Sequence, residues 1–284
     1  MGNILDCRAI ARAHRERIAA ELAAFPFRPK LMTILATDDF GSKTYASLIA
    51  KDCASMGVLA EERRVFSKEE LRAAVATGNA DEETNGIFIL YPVHYPGLDD
   101  QIVMNWVHPR KDVEGLHAEN LGYLVQYRRH LDAAGDFKCI VPCTPKAVVK
   151  TLQAQPDIVL EGAYVTIVNN SIPVGKALGM MLENLEATVI NCHVKTDRED
   201  LETCVRMADI LVTAVPGEDF ILDSDLVKPG AVVVDMAYQG NIVYEELAPK
   251  VRYITHPANG IGVMTRTMLF QNLAYAARYR GTYY

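Results

Sequence analysis

This chain has no cysteine pair at C-x-x-C spacing, no long apolar run and no excess of basic residues, and each absence removes a class of protein. The six cysteines, Cys7, Cys53, Cys139, Cys143, Cys192 and Cys204, are scattered along the chain. That spacing fits neither a disulfide framework nor a zinc site, and reduced thiols in a cytoplasmic protein are expected. No apolar stretch approaches the ~18 residues a membrane span needs. The start, Met1-Gly2-Asn3-Ile4, lacks the apolar core of a signal peptide. Asp6 stands where an N-myristoylation signal prefers Ser or Thr, so Gly2 is not read as an acylation site. With 29 Lys and Arg against 36 Asp and Glu, the net charge is -7, which argues against a nucleic-acid surface. The short cluster Arg128-Arg129-His130 reads as a solvated turn. No internal repeat or low-complexity tract is present.

What the chain does have is length and alternation. At 284 residues it exceeds the usual size of one hydrophobic core, so two domains are expected. Residues 5–25 carry apolar positions at helical spacing. A strand over 30–36, a helix over 42–56 closed by Gly57, a strand over 58–66, a helix over 68–77 and a buried strand over 86–90 follow. A second series opens after Pro142, with a helix over 145–153 capped by Thr144. Strands over 164–168, 188–192, 210–215, 231–236 and 253–255 then alternate with helices over 174–185 and 200–207, and a long helix over 264–280 closes the chain. Strands alternating with helices mark parallel sheets covered by helices, hence an α/β fold of two lobes. The boundary falls near residue 140: residues 1–140 form the first lobe, 141–263 a Rossmann-like second lobe, and the closing helix, 264–284, packs back on the first.

In a doubly wound sheet, a dinucleotide's phosphates bind where a strand ends and a helix begins. The first such turn of the second lobe runs Asn169-Asn170-Ser171-Ile172-Pro173-Val174-Gly175. It is not a G-x-G-x-x-G fingerprint, and a helix simply capped by Asn170 or Ser171 is an equal reading. Three later strand ends lie at the same sheet edge: Asn191-Cys192-His193, Val215-Pro216, and Asp235-Met236-Ala237-Tyr238. His193 alone reads equally as an incidental exposed histidine. No arginine follows the second strand closely enough to grip a 2'-phosphate, Arg198 being the nearest, which favours NAD over NADP.

Several segments together resemble the methylenetetrahydrofolate dehydrogenase/cyclohydrolase family. They are Tyr45 with Lys51, Gly86-Ile87-Phe88-Ile89-Leu90-Tyr91-Pro92, Lys111-Asp112-Val113-Glu114-Gly115, Pro142-Cys143-Thr144-Pro145, Ser171-Ile172-Pro173-Val174-Gly175, and Gly260-Ile261-Gly262-Val263-Met264-Thr265. They occur in the family's order and span nearly the whole chain. The resemblance implies a folate-binding first lobe, an NAD(P)-binding second lobe and a homodimer built through the latter.

The departures are informative. The bifunctional members carry a lysine four residues after the tyrosine, where this chain has Ile49. They place a glutamine before the L-P of the third strand, where this chain has Leu90. Their K-D-V-D-G aspartate is Glu114, their G-R-S at the nucleotide turn is Asn169-Asn170-Ser171, and their G-G-V-G-P-M-T loop is Asn259–Thr265. Hydride transfer needs two rings held face to face and no general base. Cyclohydrolysis needs a positioned lysine and its glutamine. The chain is therefore similar to the monofunctional, NAD-dependent branch, which also lacks that pair and carries K-D-V-E-G.

By this resemblance Glu114 holds the pterin N–H groups; the alternative is a salt bridge to Lys111 or Arg110. Asp112 braces its loop. Tyr45 stacks on or hydrogen-bonds the folate, or is a core tyrosine. Cys143 lies beside the folate, or is a small buried side chain before a helix. Lys51, six residues from Tyr45 and so about 240° around the helix, points to solvent. Gly260 and Gly262 let the loop approach the dinucleotide, and Thr265 bonds a phosphate or the carboxamide. Two other readings stand beside a dehydrogenase without cyclohydrolase activity: a folate- or nucleotide-binding paralogue without turnover, and a dehydrogenase for another one-carbon adduct.

Overall fold

The computed structural model describes residues 3–93, 95–217, 219–257 and 260–282. The chain opens with β1 (Asn3–Leu5) and α1 (Cys7–Ala23), then β2 (Lys30–Leu35), α2 (Phe40–Ser55), β3 (Leu59–Arg64), α3 (Lys68–Ala80) and β4 (Thr84–Leu90). Two short helices follow, α4 (Asp100–Met104) and α5 (Ala118–Val125). The second series is α6 (Cys143–Gln153), β5 (Tyr164–Val168), α7 (Ala177–Glu183), β6 (Thr188–Cys192), α8 (Arg198–Met207), β7 (Ile210–Thr213), β8 (Val232–Asp235), α9 (Tyr244–Leu247), β9 (Tyr253–Thr255) and α10 (Gly262–Arg278).

Local chemistry sets these boundaries. Asp39 caps α2 by accepting from the Ser42 N–H at 2.9 Å, and Gly57, at φ 71°, ends it in the left-handed conformation that suits glycine. At α3, Ser67 accepts from the Glu70 N–H while the Glu70 carboxylate accepts from the Phe66 N–H, a variant of the capping box.

Two compact units result. One comprises residues 13–143 and 268–284, the other residues 144–267 with the N-terminal stretch through Arg12. The assignment of all of residues 1–140 to the first lobe is corrected here. Asn3–Leu5 is a strand, paired in parallel with Tyr253–Thr255, and the helix expected from Leu5 begins at Cys7.

The first unit holds a three-stranded parallel sheet in the order β3-β2-β4. β4 is buried at every position, as befits a strand covered on both faces. The second unit holds a six-stranded, all-parallel sheet in the order β1-β9-β8-β7-β5-β6. Its order reverses at β5, so the carboxyl end of β5 lies at the topological switch point where such sheets bind ligands. No helix of the described residues is long and apolar enough to cross a membrane.

Two local expectations change, and two short helices are added. α6 begins at Cys143, so Thr144 lies inside the helix and does not cap it. The helix after β5 starts as a π-helical turn, Ile172–Lys176, before becoming α7. α4 and α5 are too short to leave a periodic signature.

Candidate functional site

In the first unit, strand pleat places Gly86, Phe88 and Leu90 on one face of β4 and Ile87 and Ile89 on the other. Ile87 and Ile89 join a core with Val75, Val103 and Val107. On the opposite face the Phe88 ring lies 6.3 Å from that of Tyr45, tilted at 39°. Ile49, one turn beyond Tyr45 on α2, is 1% exposed, and Leu90 is 4% exposed. Tyr45 itself is half-buried. Aliphatic side chains thus stand where the bifunctional pattern has an amine and an amide. Lys51 is exposed, as its angular offset requires.

The segment 111–115 runs beside β4, the Ile87 N–H donating to the Lys111 carbonyl at 2.7 Å. The Lys111 side chain, 2% exposed, turns away and donates to the carbonyls of Gly78, Asn79 and Asp81 at 3.0, 2.9 and 2.7 Å. It thereby closes the carboxyl end of α3, whose last carbonyls lack helical partners. Asp112 accepts from the N–H groups of Gly115 (3.0 Å) and His117 (2.7 Å) and from Asn120 Nδ2 (3.0 Å), bracing the loop. Arg110 donates to Thr282 Oγ1 at 3.2 Å.

The proposed salt-bridge alternative for Glu114 therefore does not hold, because both cations are bonded elsewhere. Glu114 Oε2 is enclosed and has no hydrogen-bond partner. Burial, reinforced by the neighbouring Asp112 carboxylate, pushes the Glu114 carboxyl well above the usual carboxylate range. An enclosed carboxyl oxygen without a partner is costly to a fold.

Cys143 does not project into open space. Its thiol, 3% exposed, donates to the Val113 carbonyl at 3.1 Å, and its N–H donates to the Glu114 carbonyl at 3.1 Å. The small-buried-side-chain reading describes its surroundings. The sequence reading missed Asn272, a fully buried amide on α10. It donates to the carbonyls of Val113 and Val141, both at 2.9 Å.

In the second unit, Asn169 braces the turn after β5. Its Oδ1 accepts from the N–H and hydroxyl of Ser171 (both 2.8 Å) and from the Gly175 N–H (3.0 Å), while its Nδ2 donates to the Ala214 carbonyl at 2.8 Å. A Cβ at Gly175 would fall 2.0 Å from the Asn169 carbonyl oxygen, so only glycine fits. Ser171, at the cap position, makes no side-chain bond to the π-helical turn. Asn170 is exposed and Val174 half-buried.

At the end of β6, Asn191 Nδ2 donates to the Gly175 carbonyl at 3.1 Å. Its enclosed, unpartnered Oδ1 faces α7, 3.1 Å from where a Gly179 Cβ would stand. Asn191 thus ties strand to turn. The Cys192 thiol is buried in the sheet's core, and burial pushes it up to about 12. His193 is exposed and turns the chain, its Nδ1 accepting from the Lys195 N–H at 3.1 Å.

Val215 exchanges two hydrogen bonds with the buried Asn241, at 2.8 and 3.1 Å, and Pro216 is exposed. Asn241 also donates its N–H to Asp235 Oδ2 at 2.7 Å, tying the ends of β7 and β8; the sequence reading missed it too. A cavity of about 710 Å³ lies at the ends of β8 and β9, and Tyr238, Gly260 and Gly262 line it together with Arg8 and His256. Tyr238 is fully exposed. Beside both glycines a Cβ would meet open space. Thr265 sits within α10, its hydroxyl donating to the Ile261 carbonyl at 3.4 Å. Asn259, at the head of that loop, lies outside the described residues.

Residues 5–114 match the catalytic domain of tetrahydrofolate dehydrogenase/cyclohydrolase, and residues 142–281 match its NAD(P)-binding domain. The chain belongs to this tetrahydrofolate dehydrogenase/cyclohydrolase family. The bifunctional protein FolD of Exiguobacterium sp. is 35% identical over 96% of this chain and 97% of its own. The NAD-dependent 5,10-methylenetetrahydrofolate dehydrogenase of Saccharomyces cerevisiae superposes with a TM-score of 0.89 at 26% identity, over 99% and 98% of the two chains. The dehydrogenase-cyclohydrolase of Trypanosoma brucei, solved with NADP and an inhibitor, gives the same score, identity and coverage. Family members thus include NAD-dependent and NADP-bound proteins, and bifunctional ones. The turn braced by Asn169 and Gly175 lies in the family's NAD(P)-binding domain, and the Glu114 loop closes its catalytic domain.

Proposed function

We propose that this chain is a monofunctional, NAD-dependent methylenetetrahydrofolate dehydrogenase, converting 5,10-methylenetetrahydrofolate to the 5,10-methenyl form without hydrolysing it. The observation that carries the reading is the pair of buried aliphatic residues, Ile49 and Leu90, on the Tyr45 face of the catalytic unit. When bound, NAD accepts the hydride that leaves the bridging carbon. The resulting cation is shared by two nitrogens, so no proton has to be removed. Tyr45 orients the folate ring, and Glu114, giving up its proton as the folate N–H groups supply the partners its carboxyl lacks, accepts from them and favours the positive charge that develops. Hydrolysis would need an amine near that carbon. Of the six lysines of this unit, Lys111 is bonded to three carbonyls, Lys30 pairs with Glu61 and Asp81 at 2.7 and 3.0 Å, Lys43 pairs with Asp38 at 2.9 Å, Lys138 lies over the Tyr275 ring, Lys68 opens α3, and Lys51 faces solvent.

The residues at the nucleotide turn fit a dinucleotide. Gly175 leaves no bulk, and Asn169 fixes the turn from within, which supports retained binding over a degraded site. NAD rather than NADP is favoured because Arg198, the first arginine after β6, is 88% exposed and bonded to Glu202 at 3.0 Å. A cytoplasmic homodimer assembled through the nucleotide unit, with no nucleic-acid or membrane partner, completes the proposal. A spectrophotometric assay with methylenetetrahydrofolate tests it. NADH formation with NAD and at least about tenfold less activity with NADP are expected. Binding without any absorbance change would instead select a non-catalytic protein.

A further inference from the structure

We infer that Asn272 is the residue that positions Glu114 for the folate, acting with Cys143 through the backbone on either side of the carboxylate. This rests on the reading of Glu114 as the folate anchor. Two chain segments cross at the site. Gly115, at φ 78°, lies against the Val141–Pro142 peptide so closely that a Cβ would sit 2.4 Å from the Val141 carbonyl carbon. A contact that tight permits little adjustment, and three groups fix it.

The Asn272 amide has two N–H hydrogens; its Nδ2 donates to one carbonyl on each segment, Val113 and Val141, both at 2.9 Å, and also lies 3.3 Å from the Cys143 sulfur, a shared third acceptor. The Val113 carbonyl also accepts from the Cys143 thiol at 3.1 Å. The Cys143 N–H takes the next carbonyl, that of Glu114, at 3.1 Å. The peptides on both sides of the Glu114 Cα are therefore bonded, although its side-chain Oε2 has no hydrogen-bond partner. The Asn272 and Cys143 side chains and their bonds to the Val113 carbonyl are buried, so those bonds act in a low dielectric. A side chain left free to bind a ligand needs a rigid backbone beneath it, and the Asn272 amide supplies that rigidity.

Alternatives with the same shape do not serve. Aspartate at 272 would aim a carboxylate at two carbonyl oxygens. Alanine would leave both carbonyls with fewer donors. Serine at 143 retains a donor to Val113.

The test is a double-mutant cycle between Asn272→Ala and Glu114→Gln, reading KM for methylenetetrahydrofolate and KM for NAD separately. Asn272→Ala is expected to raise the folate KM about tenfold or more and to leave the NAD KM within about twofold. Because Asn272 acts through Glu114, adding Asn272→Ala to Glu114→Gln should raise the folate KM no further. Cys143→Ser should keep the folate KM near its original value, and Cys143→Ala should raise it. These thiol variants carry the test if Asn272→Ala fails to fold. A folded Asn272→Ala protein with unchanged folate KM, or effects that simply multiply in the double variant, would overturn the inference. If Glu114→Gln alone leaves the folate KM unchanged, the reading of Glu114 fails instead, and the two failures are told apart.

Discussion

Tyr45 and Ile49 stand one turn apart on α2, so one helical face offers an aromatic ring 6.3 Å from that of Phe88 and, beside it, an aliphatic side chain 1% exposed. This juxtaposition suits ring stacking and excludes water. Restoring the bifunctional pattern with Ile49→Lys and Leu90→Gln together should create measurable hydrolysis of methenyltetrahydrofolate. Ile49→Lys alone should cost more than about 2 kcal/mol of stability, because it buries an amine without its partner. Thermal melts and a hydrolysis assay on the three variants check both statements.

Glu114 gives a pH signature. Its folded-state carboxyl is held well above its ordinary value of 4.5, first by burial and then by Asp112. A group raised in this way contributes its full stability below that ordinary value and loses it as pH rises through the raised one. Glu114→Gln removes this loss. The variant should therefore melt higher than the parent at neutral pH, with a gap that opens as pH climbs from about 4.5 and then levels off. Folate binding should be weakened by the same change. Parallel pH–melting curves for the two proteins decide the matter, and superimposable curves would count against a buried, proton-holding Glu114.

Much of this was legible in the sequence because it is written in local signals. Strand–helix alternation marked both parallel sheets, and Gly57 marked the end of α2. The K-D-V-E-G and P-C-T-P segments pointed to the catalytic unit. The angular offset of Lys51 placed it in solvent. What could not be read depends on long-range partners. β1 becomes a strand only because β9 lies ready to pair with it. The Lys111 amine finds its carbonyls some thirty residues back along the chain, so its proximity to Glu114 in sequence misled. Asn272 meets Val113 across most of the chain, and no spacing rule connects them. Asn241 resembles a turn residue until its bonds to Val215 are seen.

At the nucleotide turn, Gly175→Ala should weaken NAD binding about tenfold or more, since the added carbon would stand 2.0 Å from the Asn169 carbonyl oxygen. Titration of NADH fluorescence reads the affinity. Unaltered binding would remove this turn from the cofactor site.

Cofactor choice has its own test at the end of β6. Lys195 is exposed there, and Arg198 is bonded to Glu202. If the protein uses NAD, Lys195→Ala should leave the NAD KM within about twofold while lowering any residual activity with NADP, whose 2'-phosphate is the group that distinguishes it at this strand end. A large loss with NAD would place Lys195 on the dinucleotide in another role.

The most direct measurement follows methenyltetrahydrofolate loss with and without the protein, under conditions in which the same preparation reduces NAD with methylenetetrahydrofolate. NADH formation together with a methenyl decay rate identical in the two samples is expected. Accelerated decay in the presence of the protein would contradict it, because the Ile49 and Leu90 walls would then be sustaining the hydrolysis they are held to prevent.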